Sequence, residues 1–207
     1  MMTKGKFIVV LGVDGTGKSS ITKQLVELYK EEGRKVIIEH WRPNLLPPLK
    51  KKRDIYTDIN NNSKEINEIT LKKRVVSLFR YVYYIIDFIL GYIFKVKKQV
   101  NQGSIFIIER YYFDNLINPE RYKFYNDLLG KIAFKFIKRP DNLILVTCNS
   151  EVAYKRKKEL SINELDYTQN KYIHFLKKYE NNKMSVDTSN SNANEIALII
   201  KKRIGEF

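Results

Sequence analysis

Apolar residues in this chain fall into short continuous blocks separated by longer stretches of helical periodicity. Phe7-Ile8-Val9-Val10-Leu11, Val36-Ile37-Ile38, Ser104-Ile105-Phe106-Ile107-Ile108, Asn142-Leu143-Ile144-Leu145-Val146-Thr147 and Met184-Ser185-Val186-Asp187 read as five strands, the first three as buried ones. After the first block, Ile21, Leu25, Leu28 and Tyr29 share one helical face, and Glu31-Glu32-Gly33-Arg34 reads as the helix stop. Leu45 to Ser63, with Pro47-Pro48 and Asn60-Asn61-Asn62, reads as a loop, and Glu65 to about Gln102 as a helix broken or bent near Gly91. Further helices are predicted from Asn118-Pro119-Glu120-Arg121 to about Lys138, from Ser150 to Glu159, from Asn163 to Tyr179 and from Glu195 to Ile204. Strands alternating with helices predict an α/β fold on a parallel sheet. One segment, Val75 to Phe94, has the length of a membrane span. Arg80 and Asp87 in its middle are expensive in hydrocarbon, and at a spacing of seven they lie near one face with Tyr83 and Tyr84 between. That predicts a buried helix with a polar stripe and no membrane span.

The chemistry is concentrated where strands end. Gly12-Val13-Asp14-Gly15-Thr16-Gly17-Lys18-Ser19, followed by Ser20, spells G-x-x-x-x-G-K-[ST] between a buried strand and an amphipathic helix. Glycines let successive N–H groups turn inward onto a phosphate, and the helix N-terminus adds its positive end. Lys18 then reaches the β/γ-phosphates of a nucleoside triphosphate, and the Ser19 hydroxyl is placed to hold Mg2+. The third strand ends in Glu109-Arg110-Tyr111: a carboxylate there is placed to hold Mg2+ or its water, and the arginine to grip phosphate oxygens. The second strand ends in Glu39-His40-Trp41-Arg42-Pro43, which makes Glu39, His40 and Arg42 acceptor-site candidates by position alone. The run Lys155-Arg156-Lys157-Lys158 after the fourth strand reads as a lid, over about residues 150–162, that brings positive charge to the triphosphate and excludes water. Thr188 to Asn194 reads as a loop bordering the adenine, and His174 as a surface residue.

Composition changes this picture little. The 207 residues suffice for one domain, 1–207, without internal repeat. Lys+Arg 38 against Asp+Glu 23 gives a net charge of +15. With no zinc spacing, aromatic RNA-binding motif or recognition helix, the excess, including Lys50-Lys51-Lys52-Arg53, reads as solvated surface, not as a specific nucleic-acid site. The single Cys148 excludes an intrachain disulfide and suits a reducing cytosol, and Met1 to Lys6 runs into the first strand without a signal-peptide pattern, so a cytoplasmic protein is expected.

With these motifs in place, the chain resembles the thymidylate kinase family over nearly its whole length. Gly12 to Ser19 is similar to that family's G-x-D-G-x-G-K-[ST], Asp14 included; Glu109-Arg110-Tyr111 stands where it has Asp-Arg-Tyr; and Glu151-Val152-Ala153 with Arg156 resembles the run into its lid. The resemblance implies a three-layer nucleoside monophosphate kinase fold, with a five-stranded parallel sheet of order 2-3-1-4-5. It also implies ATP and Mg2+ as donor and cofactor, a helix-packed homodimer, and γ-phosphoryl transfer to a nucleoside monophosphate such as dTMP. Lys18, Glu109, Arg110 and Arg156 become the catalytic set, with Arg156 as the lid arginine; Asp14 meets the acceptor's sugar or the metal shell, and Arg110 holds the acceptor phosphate. Tyr111 and Asp87 join Glu39, His40 and Arg42 around the acceptor. The chain departs from the family in four places, one being Thr16 in the glycine-rich loop, so that no arginine comes from that loop and the burden falls on Arg156 and its lysine neighbours. The family's Arg-Glu-Pro-Gly is here His40-Trp41-Arg42-Pro43, its thymine-reading arginine falls near Phe88 beside Asp87, and its first signature residue is Glu109. A divergent branch of thymidylate-kinase-like proteins shares the look of Arg110 to Asp114 with Asn118 to Tyr122, where Arg121 and Tyr122 stand as further acceptor candidates. The alternative is a kinase acting on a hydroxyl of a nucleoside or sugar-like metabolite, which needs a base such as Glu39 or His40.

Overall fold

The computed structural model describes residues 4–49, 71–118, 127–179 and 182–205. Several expectations lie outside them: most of the predicted loop with its basic run and Asn60-Asn61-Asn62, the start of the long helix at Glu65, and the Pro119 to Tyr122 segment. The described chain runs β1 (Lys6–Leu11), α1 (Lys18–Glu31), β2 (Val36–His40), α2 (Leu71–Gly91), a π-helical turn (Tyr92–Val96), α3 (Lys97–Asn101), β3 (Ile105–Glu109), α4 (Phe113–Ile117), α5 (Asp127–Phe136), β4 (Asn142–Thr147), α6 (Ser150–Arg156), α7 (Ile162–Lys178), β5 (Lys183–Asp187) and α8 (Ala193–Gly205). The five strands form one parallel sheet in the order β2-β3-β1-β4-β5, as the resemblance implied.

Both faces of the sheet are covered, which is why the central strands are apolar at every position rather than at alternate ones. Ile8, Val10, Ile105, Ile107, Ile144 and Val146 pack against Ile21, Leu25 and Tyr29 of α1 and Ile196, Ile200 and Ile204 of α8. Phe7, Val9, Leu11, Phe106, Ile108 and Leu145 face the other layer, where Tyr81, Phe88, Tyr111, Tyr112 and Phe113 form an aromatic core. The register pairs Val10 with Glu109 and His40 with Glu109, so the carboxyl ends of β1, β2 and β3 meet around one carboxylate.

Two expectations are corrected. β2 is an edge strand, half-buried with Ile38 45% exposed, because only β3 flanks it. The long helix is not buried all round. Tyr81, Tyr84, Asp87 and Phe88 are inside, but Val76, Phe79 and Phe94 on its outer side are exposed, and Arg80 is only half-buried. Val75–Asn101 is long and apolar enough to cross a membrane by length and composition, while its inner side carries the fully buried Asp87, ion-paired to Arg42. The bend expected near Gly91 is the π turn that begins at Tyr92.

Candidate functional site

β1 ends at Leu11, and the chain then needs backbone conformations that a side chain forbids. Gly12 has φ 144° and Gly15 φ 85°; a Cβ on Gly12 would lie 2.4 Å from the Val146 carbonyl oxygen, and one on Gly15 2.5 Å from that of Ala153. The loop therefore rests directly on the end of β4 and on the Ala153 carbonyl in the middle of α6, and Gly17 opens α1. Thr16 Oγ1 donates to the Val13 carbonyl at 2.8 Å, and Lys18 Nζ folds back onto the same oxygen. Burial lowers the Lys18 pKa to about 7; the Arg110 charge adds to this, against the opposing pull of Asp14, Glu109 and Asp114.

Glu109 lies at the centre. Its Oε2 accepts from Ser19 Oγ at 3.2 Å and stands 3.4 Å from His40 Nδ1. Burial alone would raise its pKa, but the neighbouring His40 and Thr22 side chains and the Lys18 charge hold it below the usual carboxylate range. A serine hydroxyl beside an ionised carboxylate is the donor set that Mg2+ takes when phosphates and water supply its other oxygens, so the residues present fit that cation. Among the described residues no group of three or more His, Cys, Asp or Glu stands ready to hold a metal.

Immediately after Glu109 the backbone is strained. Arg110 has φ 76° and Tyr111 φ 51°, conformations uncommon for non-glycine residues and enriched at functional sites. The Arg110 N–H donates to the Val10 carbonyl at 2.8 Å, which fixes the turn to the phosphate-loop strand. Its guanidinium is buried, donating from Nη2 to Asp14 Oδ1 at 2.6 Å with Nη1 3.7 Å from Asp114 Oδ2. Lys157 Nζ approaches Asp14 from the other side at 3.7 Å. Asp14 and Arg110, singled out from the sequence, are thus in direct contact. Tyr111, also expected around the acceptor, turns into the core: its ring is fully buried against Phe7, Phe88 and Phe113, and its hydroxyl donates to the Lys138 carbonyl at 3.0 Å.

The exit of β2 divides the other candidates. Successive strand residues point to opposite sides, and only His40 joins Glu109. Glu39 accepts from Lys95 of the π turn and from Asn44 Nδ2 at 2.7 Å, so it anchors a loop instead of facing Ser19. Arg42 and Asp87 come together as a buried ion pair at 2.7 Å, and the second Asp87 oxygen accepts from Leu46 N at 2.7 Å. Trp41, at φ 70°, packs edge-on against Tyr84 and Phe88, and its indole N–H donates to Asn115 Oδ1 at 3.2 Å. Phe88 itself is fully buried among Trp41, Tyr111 and Tyr112.

On the far side of the loop, Arg156 is anchored: Nη1 donates to Thr188 Oγ1 at 3.1 Å, and Nη2 to the Thr188 carbonyl at 2.9 Å. It lies beside Gly17, and Thr188 Oγ1 is 2.9 Å from the Thr16 carbonyl oxygen. The segment expected as a lid is the short helix α6, capped by the Asn149 side chain, followed by a turn into α7, which opens with a Ser161/Glu164 capping box. Sequence reading missed Lys95, which no local motif marks; Lys157, Thr188 and Asp114 lie in stretches it singled out, but their contacts with Asp14, Arg156 and Arg110 join separate elements and were not legible.

Residues 10–198 match the family model described as thymidylate kinase. Among curated proteins, the chain is 30% identical over 115 residues to the thymidylate kinase of Buchnera aphidicola subsp. Baizongia pistaciae, a match covering 56% of this chain but only half of that relative's length. It is 26% identical over 207 residues to the probable thymidylate kinase of Archaeoglobus fulgidus, covering 97% of this chain and 95% of the relative. Among solved structures, that of the Ehrlichia chaffeensis thymidylate kinase superposes with a TM-score of 0.59 at 15% identity, over 96% of this chain and 98% of that one, a likeness of fold.

Proposed function

The chain belongs to the thymidylate kinase family, and from that premise we propose that it transfers the γ-phosphoryl group of ATP to the phosphate of a nucleoside monophosphate, dTMP foremost. The observation that carries this reading is the cluster of Lys18, Ser19, Glu109, Arg110 and Asp14 at the joined ends of β1 and β3. The Gly12–Ser19 backbone and Lys18 bind the donor phosphates. Ser19 and Glu109 would hold Mg2+, which would supply charge neutralisation for the donor phosphates. Arg110, set against Asp14, orients the acceptor phosphate. That acceptor is already an oxyanion, so positioning and charge stabilisation suffice and no general base is needed. Arg156 closes the donor side beside Gly17, and Lys157 adds positive charge at Asp14. The working unit is a homodimer formed through the exposed apolar sides of α2 and α5, in a reducing cytosol that keeps Cys148 a thiol.

One observation favours a second reading. His40 Nδ1 lies 3.4 Å from Glu109 Oε2, which supports a role for it in taking a proton from a hydroxyl acceptor. ADP release from ATP and Mg2+ across dTMP, other monophosphates, nucleosides and small sugars separates the two. Turnover with dTMP that survives His40→Gln supports the monophosphate kinase. Turnover confined to hydroxyl acceptors, and lost in His40→Gln, overturns it.

A further inference from the structure

Behind Arg110 lies a chain of buried polar groups that phosphate chemistry alone does not require. Asp114 on α4 is fully buried and turns one carboxylate oxygen toward Arg110 Nη1, at 3.7 Å. The other oxygen accepts a hydrogen bond from the Tyr172 hydroxyl, which comes from the middle of α7 and is also buried. That hydroxyl in turn accepts from Asn118 Nδ2 at 3.0 Å. With one bond arriving and one leaving, the hydroxyl has a defined direction, and the Asp114 carboxylate cannot rotate freely. Arg110 therefore sits between two carboxylates, Asp14 of the phosphate loop and Asp114, and the second is fixed from α7.

The elements around α7 make this more than a local support. The Ala153 carbonyl of α6 lies against Gly15, Arg156 lies beside Gly17, and Lys157 in the turn that follows reaches Asp14. Gln169, one turn before Tyr172 on α7, holds the end of β4: it accepts from Cys148 N and donates to the Cys148 carbonyl, both at 3.0 Å. One helical pair thus touches the Gly12–Ser19 loop through α6 and, through Tyr172 of α7, the Asp114 that faces the arginine at the end of β3.

We propose that Tyr172 is a positioning residue: its hydroxyl fixes Asp114, Asp114 fixes the Arg110 guanidinium, and α7 thereby sets the acceptor arginine in register with the donor loop. The inference rests on the phosphotransfer reading above for what Arg110 grips, but not for the coupling itself. A guanidinium hydrogen-bonded to Asp14 through Nη2 and ion-paired, at 3.7 Å and without a hydrogen bond, to a fixed Asp114 is slower to rotate about its Cζ–N bonds than one whose second carboxylate is free to turn away.

Two measurements on the full chain test it. The first is side-chain nitrogen–proton NMR of the arginines, with the Arg110 signals assigned by Arg110→Lys. Separate Arg110 Nη signals are expected in the native protein, and their averaging in Tyr172→Phe and in the isosteric Asp114→Asn. Unchanged Arg110 signals in a folded Tyr172→Phe overturn the proposal, whatever the activity. The second is steady-state kinetics with dTMP and ATP. Tyr172→Phe is expected to raise the dTMP KM about tenfold with the ATP KM within about twofold. It should add almost nothing in the Asp114→Asn background, because both changes break the same link. A merely structural tyrosine would instead lower Tm and scale both substrates alike, and that result also overturns it. Averaged Arg110 signals in a protein that turns over no monophosphate would support the coupling and count against the acceptor named above, so the two readings fail separately.

Discussion

Lys18 is a buried cation whose nearest hydrogen-bond acceptor is a neutral carbonyl, and its lowered pKa follows from that. Phosphate oxygens favour the ammonium form, so ATP binding near pH 8 should draw close to one proton from solution. Calorimetry in two buffers of different ionisation heat reads this uptake directly; Lys18→Met should abolish it and reduce turnover by about a hundredfold or more. ATP affinity should fall as pH rises above about 7, approaching tenfold per unit. The sign for stability is opposite. Because the folded-state pKa, about 7, lies below the ordinary 10.5, the unfolded chain holds more protons between them. Stability of the ligand-free protein should therefore rise with pH across that window, and Lys18→Met should flatten the rise. Glu39 makes the contrasting case. Tied to Lys95 and Asn44, it should tolerate Glu39→Gln with kcat within about twofold and a stability loss of about 1 kcal/mol by chemical denaturation. A collapse of kcat would instead make Glu39 the base of a hydroxyl kinase.

At the level of elements, the loop after β2 is clamped to the long helix at several points. Arg42 meets Asp87, Leu46 N meets the same carboxylate, Tyr83 donates to the Pro47 carbonyl at 2.6 Å, and Lys95 to that of Pro43 at 2.7 Å. Gly91 lets the loop seat, since a Cβ there would lie 2.6 Å from the Pro43 Cβ. Arg42→Met leaves Asp87 buried without its cation and should cost about 3–5 kcal/mol, whereas the double change Arg42→Met with Asp87→Leu should recover much of that. Urea melts of the three variants decide it; an additive double mutant would mean that the pair is not the clamp. None of this clamp was legible in the sequence, because Arg42 and Asp87 stand 45 positions apart and each looked like a site residue at its own strand or helix. The central strands were legible, since a strand covered on both faces must be apolar throughout. β2 was legible as a strand but not as an edge, which its three apolar residues do not reveal. The left-handed glycines of the Gly12–Ser19 turn were legible because the motif is contiguous, and so was the placing of Glu109-Arg110 at the end of β3 beside it. The Asp114–Tyr172 support was not, because it joins two helices 58 residues apart.

For the molecule as a whole, the largest unexplained feature of the surface is apolar. Val76 is 58% exposed, Phe79 73%, Phe94 62%, Leu128 69% and Phe136 68%, all on α2, the π turn and α5, which share one layer over the sheet. Tyr112 ties the two helices together, its hydroxyl 2.9 Å from that of Tyr81 and from the Gly130 carbonyl oxygen. Rings and branched chains left in water at this density weaken solubility unless something covers them. A second copy of the same surface would cover them, and an isologous pairing of it closes at two chains. Sedimentation velocity at micromolar concentration should therefore show a dimer, and Phe79→Glu, which places two carboxylates against the facing apolar surface, should shift it to monomer. Because Phe79 is largely exposed whereas Asp87 and Phe88 are buried, the variant should stay folded with the Lys18 proton uptake intact. A native protein that stays monomeric at tens of micromolar, and instead floats with anionic vesicles, would assign the same surface to a bilayer and overturn the dimer.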